Sequence, residues 1–291
     1  MSKSFSKINK GPGIFSIPDS NLLLYIFSCL AVIVIISILI GNYAFKNGLL
    51  TCDHYVFNTY LYIILAFMLM MLVILLNDKT GFFNSILMWM GSGSFIRALL
   101  FLFIMIGILF GLSYLLVTID PKNILASHSV WLALVLIFGI ILIPIVWLGR
   151  ILGVVAQAVL ITIGITIVIG LLGYYYGDKI VTFDWDRYLM YALFAVIIVA
   201  FFAPMFINSP EDMITYIYVM SSVILVIFIL LLLSNHKKLK ENADKCIDGQ
   251  VTPNYPLESW QLVIKIYQIF RSSLNILAAR KLSRGGRLRL R

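Results

Sequence analysis

Residues 213–234 read MITYIYVMSSVILVIFILLLLS, twenty-two positions without a single charged side chain. A run of about 20 such residues matches the hydrocarbon thickness of a bilayer when it is helical. Isoleucine and valine are abundant in it, and their intrinsic preference is for strands. Lipid overrides that preference, because hydrocarbon offers no partner to the unpaired backbone groups of an open strand edge. The stretch therefore reads as a membrane-spanning helix.

Six further runs repeat the pattern, at roughly 21–45, 58–77, 95–118, 129–148, 154–176 and 188–207. The whole chain agrees. It has 291 residues, is 62% hydrophobic and 12% charged, and has a mean hydropathy of +1.01. Soluble proteins carry about 25% charged residues, and a water-facing surface cannot be covered with less than half of that supply. The expected fold is all-α, a multi-pass membrane helical bundle. Its parts are a polar N-terminal segment (1–20), a seven-helix bundle (21–234), a polar loop (235–258), a C-terminal helix (259–279) and a basic tail (280–291). Lys3, Lys7, Lys10, Gly11, Pro12, Gly13 and Pro18 precede the first run, which is too long for a cleaved signal segment and is read as retained.

The connections are short and rich in turn formers, as in Asn77-Asp78-Lys79-Thr80-Gly81 and Asp120-Pro121-Lys122-Asn123. Glycines four apart (Gly107 and Gly111, Gly149 and Gly153, Gly173 and Gly177) put small residues on one helix face, where two helices can approach closely. Of these, the first pair lies well inside a span. Pro144 and Pro204 should kink the helices that hold them.

The segment from Trp260 to Ala279 is different. Gln261, Lys265, Gln268, Ser272 and Asn275 recur every three or four residues and share one helical face, with Arg271 beside it. Two arrangements accommodate such a stripe. The helix can lie in the interface with Lys265 and Arg271 toward water, or it can enter the bundle, re-entrant or as an eighth span, and turn the stripe toward a cavity. The tail beyond it carries Arg280, Lys281, Arg284, Arg287, Arg289 and Arg291 and should seek anionic lipid. The net charge of +9 sits in such loops and tails, with no basic-aromatic module for nucleic acid.

Signs of enzyme chemistry are absent, and no cofactor is implied. Gly91-Ser92-Gly93-Ser94 has the wrong spacing for a nucleophile elbow. His54, His128 and His236 fall in loops or at span ends, without metal-ligand spacing, and read as interfacial polar residues. Asp184, Asp186 and Arg187 form an interfacial cluster ahead of the sixth span. Cys29 reads as a core residue, and Cys52 and Cys246 as free thiols unless their loops share an oxidising side. In the fifth span Gln157, Thr162 and Thr166 are candidates to line a pathway; Thr162 and Thr166 share a face and can instead bond their own helix carbonyls.

Val155-Ala156-Gln157-Ala158-Val159-Leu160-Ile161-Thr162 resembles the Gln-Ala-Leu-Leu-Leu-Thr run of the transmembrane Bax-inhibitor-motif family. A span ending in Tyr174, Tyr175 and Tyr176 follows, then a short loop with Phe183. A later span ends in Leu232-Leu233-Ser234-Asn235-His236-Lys237, where the family has Leu-Tyr-Asp-Thr-Gln and a basic residue. Leu262-Val263-Ile264-Lys265-Ile266-Tyr267-Gln268-Ile269-Phe270 is similar to the family's Leu-Tyr-Leu-Asp-Ile-Ile-Asn-Leu-Phe. The resemblance covers residues 130–279, with one additional N-terminal span ahead of it.

The resemblance implies a role in cell-death suppression or ion homeostasis in an internal membrane, with lipid and membrane-protein partners. It also implies a carboxylate on each of the last two helices, a proton-sensitive pair controlling calcium leak. Here those positions are Ser234 and Lys265, so the pair is lost, and Ser234, Lys265 and Gln268 become the candidate cavity or gate residues. Two other classes fit the composition: a structural membrane protein anchoring an assembly, for example a viral one, through its basic tail, and a small-solute transporter with broken helices.

Overall fold

The computed structural model describes residues 19–81, 95–181, 185–207 and 209–289, and within them the side chains of all but 19–20, 95–99, 101–102 and 284–289. The Gly91–Ser94 stretch, Asp184 and the side chain of Arg97 therefore lie outside the described residues. Among the described residues eight α-helices follow one another: α1 (Asp19–Tyr43), α2 (Tyr55–Thr80), α3 (Phe95–Thr118), α4 (Ile124–Ile151), α5 (Val155–Ile180), α6 (Trp185–Phe202), α7 (Pro210–Ile247) and α8 (Tyr255–Arg289). Between α1 and α2 two short strands, β1 (Phe45–Lys46) and β2 (Leu49–Leu50), pair antiparallel around Asn47-Gly48. Both turn residues have positive φ, 53° and 80°, as a tight hairpin with the twist of its strands requires.

Seven of the helices are long and apolar enough to cross a membrane, and α8 is one of them. In α3 the apolar stretch among the described residues is Phe103–Thr118. Local signals set the ends. Asn123 caps α4 through Ala126 N, and Ser209 caps α7 through Asp212 N at 3.0 Å, with Pro210 in the first turn. Pro144 stays inside α4. Pro204 does not kink α6 but ends it, as the α-helix passes into a 3₁₀ turn over Ala203–Phe206.

The segment that could have lain flat goes through the middle. Helix α8 is the least apolar of the seven candidate spans and the most buried, whereas α6 is strongly apolar and has no buried residue. Lipid explains the inversion. Apolar side chains cost nothing when they face hydrocarbon, whereas polar ones must find protein partners. Helix α8 packs along α7 and is flanked by α2, α4 and α5. Val263, Ile269 and Leu274 are fully buried along it. Helix α1 leans on α2, and α6 on α7.

Two expected boundaries are corrected. The polar loop placed at 235–258 spans 248–254, because α7 continues through Lys237-Lys238-Leu239-Lys240-Glu241 to Ile247 and α8 starts at Tyr255. Hydropathy marks where the bilayer stops; it does not mark where the helix stops, and Lys and Glu are good helix formers in water. The basic tail from 280 likewise continues α8 as far as Arg289.

The glycine pairs sort differently from their depth in the spans. A Cβ on Gly107 or Gly111 would meet nothing within 4 Å, whereas one on Gly173 would come within 2.6 Å of His236 Cβ and 3.0 Å of Leu233 O. Gly173 and Gly177 let α5 and α7 touch, and Gly149 makes room for Leu274 of α8. Gly173→Leu should therefore separate α5 from α7 and cost about 1–3 kcal/mol. In detergent it should lower the thermal unfolding midpoint, while Gly111→Leu leaves it unchanged.

Candidate functional site

The seam between α7 and α8 carries the polar groups. Ser234 is buried at the point where α7 leaves the bilayer core, and Lys265 is half-buried on α8. The Lys265 ammonium donates to Gln261 O at 3.0 Å, so the side chain runs back along its own helix toward the α8 N-terminus. There it lies within electrostatic reach of Asp186, Lys238 and Glu258. Asp186 reaches the seam from the first turn of α6. Its Oδ2 pairs with Lys238, Ser234 lies beside it, and its Oδ1 is buried without a hydrogen-bond partner. Glu258, on the first turn of α8, accepts from Asn242 Nδ2 at 2.7 Å. Lys265 thus has two carboxylates and a second ammonium within electrostatic reach, and one of those carboxylates, Asp186, is ion-paired to that second ammonium, Lys238.

Of the other candidates, Gln268 is half-buried on α8 next to this cluster in sequence. The fifth-span trio does not converge. Gln157 is exposed on the outer face, and buried Thr162 donates to Ala158 O of its own helix at 2.7 Å. Thr166 is half-buried with its hydroxyl unpartnered, and it lines a cleft of about 370 Å³ between α2, α5 and α7.

One residue lining that cleft, His236, and a second histidine outside it lie where the sequence did not place them. His236 is 2% exposed rather than interfacial, and its Nε2 hydrogen-bonds the Tyr60 hydroxyl at 2.6 Å while Nδ1 bonds Leu232 O at 2.8 Å. His128 makes the same kind of pair with Tyr62, also at 2.6 Å, and bonds Ile124 O at 2.7 Å. A histidine one turn past an apolar run reads as interfacial; what could have signalled otherwise is Gly170 and Gly173 on α5, which leave the space His236 fills. Among the described residues no three His, Cys, Asp or Glu side chains are grouped to hold a metal ion.

At the end of the bundle where α2 and α8 begin, Asn58 is fully buried and donates to Tyr43 O at 3.0 Å and Asp53 O at 2.9 Å. The Tyr255 hydroxyl donates to Thr51 O. Beside them Cys52 and Cys246 form a disulfide with Cα atoms 5.6 Å apart, which replaces the expectation of two free thiols. Their loops share one end of the bundle, the condition under which that pairing is available.

A multi-pass helical bundle with its most polar helix at the centre and a charged seam along it defines a class of integral membrane protein, not a soluble module. The family follows from comparison. The model of the family described as inhibitor of apoptosis-promoting Bax1 matches residues 52–281, and the chain belongs to that Bax inhibitor family. The match extends well ahead of residues 130–279, where the motifs are legible, and begins at the Cys52 loop. Among curated proteins no match is found.

The Tyr60–His236 bond joins α2 to α7 in apolar surroundings. Tyr60→Phe leaves the imidazole nitrogen unpaired there and should cost about 1–3 kcal/mol. Thermal unfolding of the purified protein should show the loss, and Tyr60→Phe combined with His236→Leu should recover part of it.

Proposed function

We propose that this Bax-inhibitor-like membrane protein acts in cell-death control or ion homeostasis without an acid-gated calcium leak. The carrying observation is the company of Lys265. A proton-sensitive gate needs two carboxylates close enough to share a proton. Ser234 and Lys265 stand at the positions where the resemblance puts them, and Asp186 and Glu258 reach the seam from other turns, each beside an ammonium. A balanced cluster of this kind leaves no free carboxylate pair for Ca²⁺ and no shared proton to release.

The protein then works by tuning permeability to other species or by binding membrane-protein partners in an internal membrane, and it is not an enzyme. The basic end of α8 contacts anionic lipid. Arg280 is exposed there, stacks 5.5 Å above the Tyr218 ring and donates to its hydroxyl at 3.1 Å, and the sequence adds Arg284, Arg287 and Arg289. The insertion of α8 among the other helices supports the family reading over an anchor lying flat at the interface.

Reconstituted in liposomes, the protein should release no Ca²⁺ at any point over about pH 6–8, the window around neutrality in which paired carboxylates titrate. A robust leak suppressed by acid would overturn the reading. Lys265→Met removes one ammonium and leaves Asp186 and Glu258 in negative excess, so a cation leak should appear. Ser234→Asp with Lys265→Asp should produce a leak that depends on pH.

A further inference from the structure

Cys52 follows the hairpin after α1, and Cys246 lies in the last turn of α7, 194 residues away. Without help from sulfur, one hydrogen bond joins these two loops and others brace each of them. Tyr255 bonds Thr51 O, Asn58 holds Tyr43 O and Asp53 O, and Asn242 holds Glu258. The two thiols are therefore presented to each other by the fold, and the pair needs only an oxidant.

Disulfides form and persist where the compartment is oxidising, which excludes the cytosol of ordinary cells. The charge distribution points the same way independently. Where a side carries more lysine and arginine close to the spans, that side is cytosolic. The end opposite the disulfide carries Lys79, Arg150, Arg280 and Lys281, and Lys281 folds onto Leu152 O there. The sequence adds Lys3, Lys7 and Lys10 ahead of α1 and four arginines from Arg284 onward. The disulfide end carries Lys46, Lys122, Lys179, Arg187, Lys237, Lys238, Lys240 and Lys245, eight against the eleven named at the opposite end.

We propose that Cys52 and Cys246 are an oxidative modification site on the non-cytosolic face, and that the start of α1 and the end of α8 face the cytosol. Two S–H bonds break and one S–S bond forms. The two protons and two electrons pass by thiol–disulfide exchange to a disulfide-bearing oxidase of that compartment, which leaves as a dithiol. The orientation places the seam's charged cluster, near the start of α8, in the half of the membrane nearer the oxidising compartment. It places the arginine-rich end of α8 against the cytosolic leaflet. None of this depends on whether the protein leaks calcium.

The test uses the full chain made in microsomes of a eukaryotic host. Gln250→Asn completes an N-glycosylation triplet with Thr252 in the exposed turn after α7, and Ser2→Asn completes one with Ser4 ahead of α1. The first should gain an endoglycosidase-sensitive glycan and the second none. In sealed, cytosol-side-out vesicles of a Cys29→Ala background, a membrane-impermeant maleimide should label neither remaining cysteine. After detergent and reductant it should label both. Glycosylation of the Ser2→Asn chain alone, or labelling of Cys52 or Cys246 in intact vesicles without reductant, would overturn the proposal. Should neither triplet be modified, the same impermeant maleimide applied to intact vesicles after a membrane-permeant reductant decides the orientation: lumenal thiols stay unlabelled, and labelled ones would overturn the proposal.

Discussion

A helix that must carry an ammonium through hydrocarbon cannot face the lipid. That constraint, imposed by Lys265 and the polar residues in line with it, puts α8 at the centre, and the other helices take their places around it. Helix α7 lies along the charged side and supplies Ser234 and Lys238; α2, α4 and α5 close the remaining faces with aliphatic and aromatic side chains. Trp131 on α4 shows how finely this enclosure is made, since its indole donates to Ser259 of α8 at 3.0 Å with both groups buried. The apolar helices are left on the outside, where their sequence is indistinguishable from the solvent.

The family model matches the chain over most of its length, and the charged seam lies within that match. Two carboxylates reach the seam, one from α6 and one from the first turn of α8, each within electrostatic reach of Lys265. Beside them stand the Ser234 hydroxyl and the Lys238 and Lys265 ammoniums. Opposite charges set together in this way keep the seam polar and close to neutral.

The existence and order of the spans were legible because hydropathy at the scale of 20 residues is a direct physical requirement of the bilayer. The resemblance of 155–162 and 262–270 to family runs was legible for the same local reason. What the sequence left open depends on partners distant along the chain. Nothing within 260–279 distinguishes a stripe facing water from a stripe facing Asp186 on α6. His236 looks interfacial until Tyr60, 176 residues earlier, is brought against it. Cys52 and Cys246 are unremarkable alone and become a pair once α1, α2, α7 and α8 are assembled. Gln157 shows the converse: a polar side chain in an apolar run suggests a lined pathway, yet it sits on the outer face.

Helix α6 has no buried residue, and it is the shortest of the long spans, with 18 residues of α-helix or about 27 Å. Most of its surface therefore meets lipid, in a hydrocarbon layer about 30 Å thick, while Leu189, Leu193 and Val196 keep it against the bundle. The same helix delivers Asp186 to the seam. The charge balance around Lys265 therefore rests in part on the candidate span least enclosed by protein.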